Sequence, residues 1–225
     1  MDIDALTRIM TRRVRRRFRY LLSLFVSHSA DMSYRAKFTL SHDDAEKLRI
    51  NNIIAPIHHS QIQGFAWPFC VAELKKAGWR RRMTLWSQEG NLVVRDIHGY
   101  TPPLNLYNRI KYLSSVWIGG PALRIDLKAS FYQIPISKDA SNKLTFWAGS
   151  RENGSWYAFK RLPMGHILSP EIMQIAMSTL MGDERFTKHT VTKGDVVIDT
   201  WLDDARILSS SARTITRLEQ DITRR

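Results

Sequence analysis

The chain has 225 residues, 44% of them hydrophobic and 10% aromatic, which is enough apolar material for a packed core and excludes global disorder. Lys and Arg number 34 against 21 Asp and Glu, a net charge of +13 that points to a polyanionic partner, most simply nucleic acid. A single cysteine, Cys70, excludes an internal disulfide framework or cysteine zinc site, and no apolar run approaches the ~20 residues of a membrane-spanning helix.

Residues 1–37 read as a basic helical arm. RRVRRRFRYLLSLFV, from Arg12, joins six arginines to an apolar stretch too short for a signal peptide, with no clear small-residue cleavage site after it. An Arg-rich transit peptide is the lesser alternative; a helix touching nucleic acid, or a nuclear-import patch, fits the global charge better. Ser41 with Asp44 is an N-terminal capping pattern for a helix DDAEKLRINNII, which Pro56 ends. Residues 57–68 read as loop, and the pair His58-His59 as loop residues without a metal role.

FCVAELKKAGWRRRMTLW, from Phe69 to Trp86, reads as a hairpin turning at Ala77-Gly78. In an extended second strand Arg80 and Arg82 share one face, opposite Trp79, Arg81 and Met83. Such a hairpin presents two guanidiniums together; taken alone, a charged and solvated edge strand is the simpler reading. LNLYNRIKYLSSVW, from Leu104, has near-helical apolar spacing and is stopped by Gly119-Gly120-Pro121. ALRIDL is a strand ending near Asp126, and FYQIPI continues extended, with Pro135 marking an edge or bulge. KLTFWAG and SWYAFKRL are strands around the turn-rich SRENG.

LPMGHILSP is a loop. The helix after it has Ser169 as N-cap, Pro170 in the first position and Glu171 in the first turn. Ile172, Ile175, Ala176, Thr179 and Leu180 form its apolar face, and Gly182 suits the C-terminal cap. Residues 195–210 read as strand, turn, strand, with Asp203-Asp204 at the turn. SARTITRLEQDITRR begins a helix that the chain end cuts. This mixed order predicts an α+β fold, with helices packed on one face of a mostly antiparallel sheet.

Asp126 ends one strand and Asp203-Asp204 sit at a hairpin turn. If these strands are neighbours, three carboxylates meet at one end of a sheet. Clustered carboxylates repel unless a cation neutralises them. Mg²⁺ takes hard oxygen ligands and shares them with substrate phosphates. Two such ions about 4 Å apart stabilise both the attacking and leaving oxygens of a phosphoryl transfer. The basic chain, the carboxylates and the positive hairpin together suggest nucleotidyl transfer.

Four stretches resemble the motifs of one family, the reverse transcriptases of retroelements. IDLKASFYQIPI is similar to its first catalytic motif, LPMGHILSP to the motif lining its nucleotide pocket, WLDDARI to its aromatic-x-Asp-Asp hairpin, and FCVAELKKAGWRRRM to its fingers hairpin. Each motif alone is weak, but they stand in the family's order over about residues 40–215. The DLK…QIPI form is closest to LTR-type and tyrosine-recombinase-type retrotransposons, a kinetoplastid VIPER-like element being one candidate.

The resemblance implies a right-hand polymerase: fingers over 38–120 with the hairpin 69–86, and a palm over 121–215 with a fingers-like insertion around 136–160. The thumb is absent, and 216–225 is a truncated helix. It implies that Asp126 and Asp203 bind both metals, with Asp204 and the Leu127 backbone completing the site. The ions are two Mg²⁺, with Mn²⁺ as a substitute. Arg80 follows a Trp as the triphosphate-binding arginine does in retroviral relatives, with Lys75 or Lys76 assisting and Arg82 as its rival. Phe131 falls at the steric-gate position, where a ring rejects a ribose 2′-hydroxyl and favours deoxynucleotides over an RNA polymerase's substrates. Met164 packs by the nucleotide, and Gly165 lets the backbone approach closely.

The partners implied are an RNA template, a DNA or RNA primer and dNTPs, in cytoplasm and nucleus, with no membrane. Two departures stand out. Trp201 replaces the usual Tyr, and Arg206 replaces an apolar residue of the returning strand. Arg225 closes the chain before any thumb or RNase H segment, so an inactive remnant that binds RNA or a protein is the rival expectation.

Overall fold

The computed structural model describes residues 1–25, 40–76, 78–103, 120–190 and 196–223. The helix expected from Leu104 and the second part of the basic arm lie outside the described residues. The chain divides into two compact units, each built from separate stretches of sequence.

The first unit comprises Met1–Arg19, Pro102–Ser130 and Pro170–Arg225. Its sheet has three strands, β4 (Ala122–Asp126), β8 (Asp204–Leu208) and β7 (Val197–Trp201), in the order β4-β8-β7 and antiparallel throughout. Period-two alternation divides its faces. Ile198, Thr200, Ala205 and Ile207 are buried, while Asp199, Trp201, Asp204, Arg206, Arg124 and Asp126 share the open side. α7 (Ser169–Leu180) covers the buried side through Gln174 and Ser178, and α8 (Ala212–Thr223) packs against β4. Helices packed with an antiparallel sheet match the expected α+β class for this unit.

Two details of α7 differ from the expectation. Ile172, Met173, Ile175, Ala176, Met177, Ser178 and Thr179 are all buried, so it is covered nearly all round rather than along one stripe. Ser169 lies within the first turn, and its hydroxyl donates to the Pro163 carbonyl (2.6 Å) rather than capping an amide. At the other end Gly182 takes φ +78, and its amide bonds back to Thr179, as the C-cap reading required.

The described part of the basic N-terminus, residues 1–25, forms two helices. α1 (Ile3–Ile9) is capped by Asp2, whose side chain accepts from the Asp4 and Ala5 amides. Met10 bridges Thr187, and the Thr11 amide bonds to the Phe186 carbonyl. α2 (Arg12–Leu24) buries Val14 and Phe18, spaced i,i+4 on one face.

The second unit comprises Tyr20–Thr101 and Phe131–Ser169. Ser41 caps α3 (His42–Ile50) by accepting from the Asp44 amide, as expected. The helix stops at Ile50, well before Pro56. Asn52 takes a left-handed φ of 55°, and the chain turns into β1 (Ile54–Pro56). β1, β6 (Ser155–Phe159) and β5 (Thr145–Ala148) form a second antiparallel sheet, order β1-β6-β5, with Phe146 and Phe159 fully buried.

β2 (Trp67–Lys75) and β3 (Gly78–Trp86) form the expected hairpin. Gly78 already pairs with Lys75 in it, so the turn sits one residue earlier than the Ala77-Gly78 dipeptide suggested. Three short helices follow: α4 (Gln88–His98), α5 (Ser130–Gln133) and α6 (Lys138–Lys143). α5 corrects the extended reading of FYQIPI. Phe131 and Ile134 are buried three residues apart, a helical spacing that alternation would have put on opposite faces. Pro135 keeps its edge character in an isolated bridge to Arg161.

Candidate active site

The β-register places the carboxylates. Asp126, the last residue of β4, lies opposite Asp204, the first of β8, so the two side chains leave the same face as a cross-strand pair. Trp201 is paired with Asp204 on the other side, leaving Leu202 and Asp203 as the turn. The Asp-Asp pair is therefore split: Asp203 belongs to the turn and Asp204 to the strand. All three carboxylates sit at one end of one sheet within the first unit.

This turn is clamped. Leu202 has φ 55°, the sign that two-residue hairpin turns demand and that Gly usually supplies. Its amide donates to Gln174 Oε1 (2.8 Å), and Gln174 Nε2 donates to the Thr200 carbonyl (3.0 Å) and hydroxyl (2.9 Å). Ser178 and Thr200 hydroxyls lie 2.6 Å apart behind the strand. Just past the end of β4 the Leu127 amide donates to the Asp203 carbonyl (3.1 Å). Sequence reasoning missed Gln174, which sits one turn into a helix whose apolar pattern hides a polar residue aimed at the turn.

Each of two carboxylates has a partner. Asp203 accepts from the Ser130 hydroxyl at 3.3 Å. Asp204 takes a fork from Arg124, with Nη2 3.1 Å from Oδ1 and 3.2 Å from Oδ2. Arg206, unexplained by sequence, stands between Arg124 and Asp199 in the register and lies 4.0 Å from Asp199. A charged row across the open face replaces the apolar packing expected there. The oxygen donors fit a hard divalent cation in kind. Among the described residues, no three Asp, Glu, His or Cys side chains are gathered as a finished cage.

The remaining predicted residues belong to the second unit. On β2–β3, Arg80 and Arg82 lie on one face, opposite Glu73 and Val71. Arg82 is 3.6 Å and Lys75 3.3 Å from the Glu73 carboxylate. Lys75, with Arg82 and Arg80 beside it, holds that carboxyl below its usual range against a smaller opposing effect of burial. Arg80 is exposed and has no ion pair among the described residues. Lys76 is exposed in the turn.

The LPMGHILSP loop is pinned at its middle. The Leu85 amide bonds to the Met164 carbonyl (2.7 Å), and the Gly165 carbonyl accepts from Ser87 (3.2 Å) and Asn91 (3.3 Å). Gly165 has φ +101, and a Cβ there would stand 2.2 Å from the Leu85 carbonyl oxygen, so only glycine fits. Asn91, which also accepts from the Ile167 amide (2.8 Å), is a second residue the sequence did not flag. Phe131 is buried in α5.

Residues 81–225, more than half of the chain, match the family model described as reverse transcriptase (RNA-dependent DNA polymerase). The chain is similar to Protein P of duck hepatitis B virus: 26% identical over 138 residues in strain Germany/DHBV-3, and 25% over 134 residues in strain China. Both comparisons cover 60% of this chain and 15% of the viral protein, so the chain spans about 15% of the length of the curated relatives it matches. The family match takes in β4, the LPMGHILSP loop and the whole β7–β8 hairpin, and begins one residue after Arg80. The chain belongs to the reverse transcriptase (RNA-dependent DNA polymerase) family.

Proposed function

We propose that this chain carries the fingers and palm of an RNA-directed DNA polymerase, the first unit serving as palm and the second as fingers. It adds dNMP to a primer 3′-hydroxyl on an RNA template. The observation that carries the reading is the Asp126–Asp204 register beside a clamped Asp203 turn, in a chain of this family.

Asp126, Asp203 and Asp204, with the Leu127 backbone, would hold two Mg²⁺ or Mn²⁺ ions. Such ions, when bound, lower the pKa of the primer hydroxyl and hold the triphosphate. The Arg124 fork takes part of the lone pairs of Asp204, and those that remain would serve an ion. Gln174 and the Leu127 amide keep the turn in place. Arg80 and Lys76 grip the triphosphate. Met164 and Gly165 line the nucleotide, and Phe131 rejects the 2′-hydroxyl. The host is a retrotransposon of LTR or tyrosine-recombinase type, working in cytoplasm and nucleus.

Primer extension on an RNA template with Mg²⁺ tests this. Asp203→Asn is expected to lower the rate by about 10³-fold, the upper scale for losing one preorganised electrostatic group. Extension with dNTPs should exceed that with rNTPs; equal use would remove the steric gate and favour an RNA polymerase. A second reading, a polymerase-like binding module, is favoured by the Arg124 fork, in which the chain neutralises Asp204 itself. Absence of extension with retained RNA binding would favour that reading instead.

A further inference from the structure

We propose that the outer face of α2 is a docking surface for the phosphate backbone of single-stranded RNA, separate from the carboxylate site. The helix is held in a fixed rotation. Val14 and Phe18 are buried, and Arg17 forks the buried Glu171 of α7 at 2.7 and 2.8 Å. That leaves Arg12, Arg13, Arg16 and Arg19 on the exposed side, none of them ion-paired among the described residues.

An ordinary solvated helix face mixes signs. RRVRRRFRYLLSL contains no carboxylate at all. Arg12 and Arg16 stand i,i+4, and Arg13–Arg16 and Arg16–Arg19 stand i,i+3, so the exposed cations repel one another along the helix. A polyanion removes that repulsion and gains the counterion release that drives phosphate binding. The residue type fits as well, since guanidinium forks match phosphate oxygens two at a time.

The dimensions and neighbours favour a single strand. Arg12 to Arg19 spans about 10 Å of helix, the reach of a few successive phosphates. Tyr20, the next residue, is 44% exposed and offers an unpaired base a ring to stack on. An anionic membrane is the weaker match, because an interfacial helix needs a free apolar face and this one is already buried in the protein. The choice of RNA rests on the polymerase reading; the cationic face does not.

The test is fluorescence anisotropy of a short unstructured RNA on the full chain in EDTA, across a salt series. R12Q/R13Q/R16Q/R19Q is expected to flatten the plot of log K against log salt by about 2–3, because each phosphate neutralised on a single strand contributes about 0.7 to the slope. The same variant should melt at or above the wild-type temperature, since it removes repulsion. The quadruple Arg→Lys variant should keep the slope, and Tyr20→Ala should weaken single-stranded RNA more than duplex. Asp203→Asn should bind as wild type, which separates this proposal from the catalytic one. An unchanged slope in the Gln variant overturns it. So does a loss confined to phosphatidylserine vesicles, or equal loss for duplex and single strand on Tyr20→Ala.

Discussion

Two charged hairpins, β7–β8 and β2–β3, are built in opposite ways. β7–β8 has short strands, one fully buried face, and a turn held by Gln174 from a helix and by Leu127, just past the neighbouring strand. β2–β3 has strands of nine residues, with Trp67, Met83 and Leu85 buried at its base and Arg81 tied to Asp44 farther out. Toward its tip the cross-strand pair Leu74 and Trp79 is 69% and 71% exposed, and Lys76 turns in solvent. The acidic tip is clamped; the basic tip is not. Carboxylates that must present oxygens to one point need that clamp, because a positioning error of an ångström costs a reaction about 10²-fold. On the proposed function, the hairpin's cations would collect a triphosphate through longer-range attraction, which tolerates freedom.

Breaking the clamp should have the larger effect. Gln174→Ala removes the acceptor for the Leu202 amide and both donors to Thr200, while leaving Asp126, Asp203 and Asp204 in the chain. We expect kcat for extension to fall about 10–100-fold, the usual scale for an outer-shell partner, with KM for dNTP nearly unchanged. A kcat equal to wild type would mean the β-register alone fixes the turn.

On the basic hairpin the contrast is between two arginines on one face. Arg82 is already ion-paired with Glu73, whereas Arg80 only stands across from it, with no ion pair among the described residues. Arg80→Ala should raise KM for dNTP about tenfold, one charge-assisted contact at an exposed site, and Arg82→Ala should raise it less. Glu73→Gln releases Arg82 and should narrow the difference between them. The reverse order of effects would hand the triphosphate role to Arg82.

These two hairpins also mark what the sequence makes legible. Each announces itself by β-prone residues around a turn, and the Ser41 cap and Gly182 cap are equally local signals. What stayed hidden depends on distant partners. FYQIPI alternates like a strand, yet Ala129 at φ 51° precedes a helical turn that buries Phe131 and Ile134 together. KDASNK carries no apolar stripe and forms a helix because Ser137 caps it. Gln174 and Asn91 look like surface amides until the backbone groups they serve are brought beside them. Arg206 looked misplaced because its neighbours, Asp199 and Arg124, are set by strand pairing rather than by sequence distance. The three metal-ligand candidates were legible as a set, but not the division of the Asp-Asp pair between turn and strand.

The smallest expected effect concerns how the basic hairpin is fastened. Arg81, on the face opposite Arg80, forks Asp44 at the start of α3, with Nε 2.9 Å from Oδ1. Burial pushes the Asp44 carboxyl up, but hydrogen bonds from Arg81 and Ser41 together outweigh it and hold the group below its ordinary value. A carboxyl whose folded pKa is depressed stabilises the fold above its unfolded pKa, and that contribution is lost as pH falls through the folded value. Melting temperature should therefore drop on acidification through the range just below the ordinary Asp pKa. Asp44→Asn should melt slightly lower at neutral pH and lack that part of the acid dependence. Because the Arg81 side chain is half exposed, the loss should be modest and should shrink in high salt. Parallel pH profiles for wild type and variant would show that the hairpin is held by its apolar base alone. The tip's freedom would then extend to the whole of β2–β3.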